Sequence, residues 1–69
     1  MEIKYDKEAD AVYIEFGKGE FAKNKKLDDF TILDLDKKGN IIGIEILDAK
    51  KRLPARSLTN VRNKIVIAN

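Results

Sequence analysis

Asp34-Leu35-Asp36-Lys37-Lys38-Gly39-Asn40 separates two apolar runs, Phe30-Thr31-Ile32-Leu33 before it and Ile41-Ile42-Gly43-Ile44-Glu45-Ile46-Leu47 after it. Runs rich in β-branched and aromatic residues around a short Asp/Gly/Asn cluster read as a β-hairpin. Asp36 is suited to hydrogen-bond turn amides, and Gly39 to take a left-handed position. Strands are therefore expected at about 30–35 and 40–47. This hairpin sets the fold class as β-rich, and it places no catalytic group in an obvious position.

Working outward, Glu2 to Tyr5 alternates, with Ile3 and Tyr5 on one side. The polar stretch Asp6-Lys7-Glu8-Ala9-Asp10 connects it to Ala11–Phe16, where Val12, Ile14 and Phe16 share a face opposite Ala11, Tyr13 and Glu15. These segments form a first hairpin, ended by Gly17-Lys18-Gly19. Residues 20–29 are ambiguous, with Phe21-Ala22 as a candidate short third strand. Beyond the central hairpin, Asp48 to Leu53 reads as one helical turn, with Asp48 as N-cap and Pro54 as its stop. Ser57 or Thr59 could cap a second short helix, and Lys64-Ile65-Val66-Ile67-Ala68 reads as a last strand. The expected architecture is a small antiparallel sheet of two hairpins plus a C-terminal strand, with one short helix or turn after residue 48. It makes one domain, 1–69.

The central hairpin carries apolar residues on both faces: Ile42, Ile44 and Ile46 point one way and Ile41, Glu45 and Leu47 the other beside Gly43, and in the preceding strand Phe30 and Ile32 oppose Leu33 and Leu35. A sheet with one wet face alternates apolar and polar residues. Cover on both faces is expected here, one of them supplied by a second chain. Size points the same way. A domain of 69 residues gains only about 3–5 kcal/mol from its core. It has no cysteine for a disulfide and neither Cys nor His for a zinc staple. A homodimer follows as the expectation. No apolar run is long enough for a membrane-spanning helix or a signal-peptide core, so a soluble cytoplasmic protein is expected.

Chemistry is scarce. Without His and Cys, neither a Ser-His nor a Cys-His nucleophile can be assembled. The spacing of Asp34, Asp36, Lys38, Gly39 and Glu45 matches D-x-D-x-[DN]-G-x5-E of a calcium loop, except that a lysine stands where an oxygen ligand is required. The flanks also read as strands rather than helices. Paired carboxylates (Asp6/Asp10, Glu8/Asp10, Asp28/Asp29, Asp34/Asp36) arise readily in a chain with 38% charged residues and are read as turn formers. Glu45, set in an apolar strand, is expected to pair with a cation of the C-terminal segment. No metal or cofactor is implied.

Charge divides along the chain. Residues 1–48 hold eight lysines against twelve acids, whereas the remainder holds six cations and no acid. Those six, Lys50, Lys51, Arg52, Arg56, Arg62 and Lys64, are the candidate partner-binding residues, facing a protein or, more weakly, a nucleic acid.

Two blocks, Tyr5-Asp6-Lys7-Glu8-Ala9-Asp10-Ala11-Val12-Tyr13-Ile14 and Asp36-Lys37-Lys38-Gly39-Asn40-Ile41-Ile42-Gly43-Ile44-Glu45-Ile46-Leu47-Asp48-Ala49, resemble the short prokaryotic proteins grouped as domain of unknown function 2283. The resemblance spans residues 5–53. It implies a small β-rich domain without assigned catalytic residues. The position of some members beside small toxin-like proteins implies an antitoxin or partner-binding role. The reading is a non-enzymatic interaction module that binds through its basic C-terminal segment. The alternative is a small enzyme, or a ligand- or metal-binding domain, using Asp6, Glu8 and Asp10 with Tyr13.

Overall fold

The computed structural model describes residues 1–54 and 64–66. Five strands occupy the first part: β1 (Glu2–Asp6), β2 (Ala11–Glu15), β3 (Lys23–Asp28), β4 (Thr31–Leu35) and β5 (Ile41–Ile46). A four-residue helix, α1 (Ala49–Arg52), follows, and β6 (Lys64–Val66) closes the described chain. All six strands join one antiparallel sheet in the order β3-β4-β5-β2-β1-β6. The β-rich class, both hairpins, the short helix after residue 48 and a strand beginning at Lys64 agree with the sequence reading. The Ser57 or Thr59 helix falls outside the described residues, as do Ile67 and Ala68.

The third strand corrects that reading. Phe21-Ala22 is not a strand; the strand starts at Lys23, and every one of its six residues is exposed. An edge strand needs only backbone pairing on its inner side, so β3 forms from Lys23-Asn24-Lys25-Lys26 without an apolar pattern to reveal it. Its lysines and the register shift between Lys26 and Asp28 are the means by which edges resist further pairing.

Directly paired residues share a face of the sheet, so register assigns the faces. Ile3, Tyr5, Val12, Ile14, Ile44, Ile46 and Leu33 lie on one, an aliphatic face. Lys4, Tyr13, Glu45, Asp34, Asn24 and Lys26 lie on the other. The second face thus has a polar centre, with Ile32 beside it, and is less apolar than the sequence reading expects. The alternation of β5 obscures this because Gly43 occupies one of its positions on that face.

The helix covers one end of the aliphatic face. Tyr5, Val12 and Ala49 form the buried core, and Ile3, Ile14, Ile46 and Leu53 pack around them. Asp48 stands at the N-cap as expected, but it caps differently. It adopts φ 51°, and its side chain makes no capping hydrogen bond. Its carbonyl instead accepts from the amides of Lys51 and Arg52, both at 3.1 Å. Leu53 is extended, as the residue before a proline must be.

Candidate functional site

Two of the three acids of the first turn, Asp6 and Asp10, are committed to the chain's own hydrogen bonds, while Glu8 is exposed. Asp6 Oδ1 accepts from the amides of Glu8 (3.0 Å) and Ala9 (3.2 Å), which shapes the turn. Asp10 takes a left-handed backbone, φ 51°, a conformation Asp tolerates better than most residues. Its carboxylate accepts the Tyr5 hydroxyl at 2.9 Å and the Lys50 amide at 3.2 Å, while its carbonyl accepts the Ala49 amide at 3.0 Å. Asp10 thereby latches the first hairpin to α1. Burial, then the Asp10 carboxylate, pushes the Tyr5 hydroxyl above its ordinary range, which keeps it a donor. Tyr13 does not join these acids.

The central turn works the same way. Asp36 Oδ1 accepts from the amides of Lys38 and Asn40, both at 2.9 Å, and Oδ2 from the Asn40 side chain at 3.1 Å. The Asn40 side chain, followed by these amides, holds the Asp36 carboxyl below the usual range. Gly39 has φ 86°, the left-handed position expected of it. Strands flank this turn, not the helices an EF-hand requires.

A polar cluster not anticipated from the sequence lies at the centre of the second face. Asp34 on β4 is only 6% exposed and accepts from Asn24 Nδ2 on β3 at 2.6 Å. Tyr13 on β2 reaches over Gly43 of β5, so a Cβ built there would lie 2.8 Å from the ring carbon Cζ and collide with the hydroxyl. That sets the hydroxyl over the residue that pairs directly with Asp34. Glu45, opposite Tyr13 in the register, also faces Asp34. Burial, followed by the Asp34 hydrogen bond and charge, raises the Glu45 carboxyl above its ordinary range. Burial and the same Asp34 carboxylate raise Tyr13. Among the described residues Glu45 therefore faces another acid, while Arg56 and Arg62, two of the C-terminal cations it was expected to meet, lie outside them. The sequence held one signal of this cluster. A glycine inside an otherwise aliphatic strand marks a place where something approaches the backbone closely.

The basic candidates divide. Lys50 and Lys51 are exposed on α1. Arg52 is occupied: its Nη1 donates to the Phe30 carbonyl and the Thr31 hydroxyl, both at 2.7 Å. Its Nη2 lies 3.7 Å from Asp28, and the guanidinium stands 6.0 Å from the centre of the Phe30 ring. It ties α1 to the turn between β3 and β4. Lys64 begins β6, in register with Lys4. Arg56 and Arg62 lie outside the described residues.

Among the described residues, no group of three or more acids is arranged to hold a metal ion. None of their helices is long and apolar enough to cross a membrane.

A family model described as "Protein of unknown function (DUF2283)" matches residues 2–50, well over half of the chain. Searches of curated proteins and of solved structures returned no match. The matched span contains the Asp10 latch, the Asp36 turn and the Asp34 cluster, so the resemblance read from the two sequence blocks extends to the elements that build the sheet. The chain belongs to the DUF2283 family.

Proposed function

We propose that this protein is a small non-enzymatic interaction module. It acts as a homodimer in the cytoplasm, and Lys50 and Lys51, with Arg56, Arg62 and Lys64, engage an acidic partner. The observation that carries the reading is the aliphatic face of the sheet. Among the described residues helix α1 packs at one end of it, where Ala49 joins Tyr5 and Val12 with Ile46 beside them, while Leu33, Ile42 and Ile44 are partly exposed and Phe16 is 43% exposed. A contiguous apolar surface of this kind marks an interaction site more often than ordinary surface. Of the acids that an enzyme or ligand-binding reading would recruit, Asp6 holds its turn and Asp10 the helix. An antitoxin, in which the partner is a small toxin, would be one form of this role.

Two measurements test it. Sedimentation across micromolar concentrations should show a dimer, and the midpoint of thermal unfolding should rise with protein concentration, because association stabilises by mass action. A monomer throughout, with a constant midpoint, rejects the dimer. For the basic surface, Lys50→Gln with Lys51→Gln should weaken binding to poly-glutamate and flatten its salt dependence. Unchanged binding and an unchanged salt slope would reduce these lysines to ordinary surface.

A further inference from the structure

We propose that the outer edge of β3 binds an acidic peptide segment in extended conformation, which joins the sheet as one more strand. β3 ends the strand order, so its outer side faces no described strand. Pairing with β4 uses the backbone groups of alternate residues, and those between them point away from the sheet. An open edge of this kind is a template for a further strand. The strand is also preformed. All six of its residues are exposed, yet the Asn24 side chain donates to buried Asp34 at 2.6 Å and fastens the middle of β3 to β4. The register shift between Lys26 and Asp28 limits the usable stretch to Lys23, Asn24, Lys25 and Lys26. The chain's own length keeps this edge open. From Pro54 to Lys64 it extends at most about 36 Å. Lining β3 on the way would take about 13 Å along the strand and then about 29 Å across to β6 at the opposite edge.

Charge states what the added strand must carry. Lys23 and Lys25 lie on the aliphatic face, paired with Leu35 and Leu33, and Lys26 lies on the other, paired with Ile32. Among the described residues none of the three forms an ion pair, and residues 55–63 and 67–69 contain no Asp or Glu that could supply one. Directly opposed residues of paired strands share a face. Acids opposite all three lysines are therefore supplied by an extended chain, whose side chains alternate between faces. A nucleic-acid backbone would meet one face and leave the other unmatched. A second copy of β3 would set lysine against lysine, which is the sense in which this edge resists pairing. The ends of the stretch are apolar. Phe21 and Leu27 are 56% and 57% exposed, more than any other large apolar side chain among the described residues. The partner that fits is thus an acidic stretch with an apolar residue at each end. This surface is separate from Lys50 and Lys51 and requires neither them nor a dimer.

The probe is the end-capped peptide Leu-Glu-Glu-Thr-Glu-Val-Phe, which in antiparallel register sets its glutamates against Lys26, Lys25 and Lys23. Titrated into the nitrogen-labelled full chain, it should shift the amides of residues 21–28 and protect alternate amides of β3 from hydrogen exchange. Changing Lys23, Lys25 and Lys26 together to Gln should weaken binding about tenfold, the sum of three cross-strand charge pairs. Two further peptides, N-methylated at one or the other set of alternate residues, keep every charge. One of them should lose binding and the other keep it, because only one set of peptide amides faces β3. This arm uses the wild-type protein, so it stands whether or not the lysine variant folds. The Lys50→Gln, Lys51→Gln variant should bind the parent peptide as wild type does, which separates this edge from the basic helix; a loss there would move the site to α1 and overturn the proposal. It is also overturned if no amide of β3 shifts at millimolar peptide, or if both N-methylated peptides bind like the parent, which would mean attraction of charge without strand addition. Displacement of the peptide by a DNA duplex, with no alternation among the protected amides, would overturn it in favour of a nucleic-acid surface.

Discussion

The Asp10 latch and the Asp34 cluster are both acid-centred, and they are built in opposite ways. Asp10 works beside a turn, and its ties to Tyr5 and to the start of α1 leave the carboxylate at the margin of the molecule. Asp34 works in the middle of a sheet, buried, with Asn24, Tyr13 and Glu45 drawn from the three other strands that surround it. The latch joins one turn residue to the Tyr5 hydroxyl and to the backbone amides that open α1. The cluster exists only when β2, β3, β4 and β5 are all in register. Loss of one latch bond should loosen a junction, whereas loss of one cluster contact should propagate across four strands.

Gly43→Ala is the strongest way to break the cluster. The new methyl group would occupy the place of the Tyr13 ring, with Cζ at 2.8 Å and Cε1 at 2.9 Å from the built Cβ. Tyr13 must leave, so chemical denaturation should report a loss of about 1–3 kcal/mol, typical of overpacking. Asp10→Ala should come next, on the order of 2 kcal/mol by the same measurement. It leaves the Tyr5 hydroxyl and the Lys50 amide without their acceptor and puts alanine into a left-handed backbone. If Asp10→Ala proves costlier than Gly43→Ala, the junction rather than the sheet centre governs stability.

The same contrast governs how much of the molecule is legible in its sequence. Tight turns betray themselves: Asp36 with Gly39, and Asp6 with Asp10, are turn chemistry at short spacing. Period-two runs at Glu2–Tyr5, Ala11–Phe16 and Ile41–Leu47 place three of the strands with little error. Lys23–Asp28 escapes because an edge strand whose residues are all exposed has no buried face to impose a period. The Tyr13–Asn24–Asp34–Glu45 cluster escapes because its successive members are 11, 10 and 11 residues apart in sequence, meeting only through the sheet order. Arg52 illustrates the limit of charge counting. As one of six C-terminal cations it reads as a partner contact, yet its guanidinium is bonded to Phe30 and Thr31. Composition reports how many charges there are, and only geometry reports which ones are already in use.

Two smaller substitutions sharpen the comparison outside both sites. Gly39→Val should lower stability by about 1–2 kcal/mol, since a β-branched residue is forced to φ 86°. Nothing crowds the position, where a built Cβ meets no atom within 4 Å, so the cost is conformational alone. An unchanged melting temperature would reject this turn geometry. Arg52→Gln should cost less, about 0.5–1 kcal/mol, because the bonds it removes are exposed. Lys50→Gln and Lys51→Gln should leave the melting temperature unchanged, and a loss equal to that of Arg52→Gln would show that the helix cations act together.

The smallest effect is at acid pH, where the turn acids and the cluster should pull in opposite directions. Asp36 is held below its ordinary range by the Asn40 side chain and turn amides. Asp28 is lowered by the Phe30 amide, which donates to it at 2.8 Å, with Thr31 and Arg52 adding to the effect. A depressed folded value means that the unfolded chain takes up the proton first. The stabilisation from these acids is present above the ordinary value of 3.8 and is lost as pH falls through the folded values. Glu45 contributes in the other sense, fully at low pH, so stability should pass through a maximum near the ordinary carboxylate range. Asp36→Asn keeps an oxygen acceptor for the turn but removes the charge. It should flatten the acid limb of the melting curve against pH while leaving the alkaline limb intact. Glu45→Gln should do the reverse, and the double variant should flatten both limbs, since the turn and the cluster share no hydrogen bond. If Asp36→Asn also flattens the alkaline limb, the turn and the sheet centre are coupled through β4.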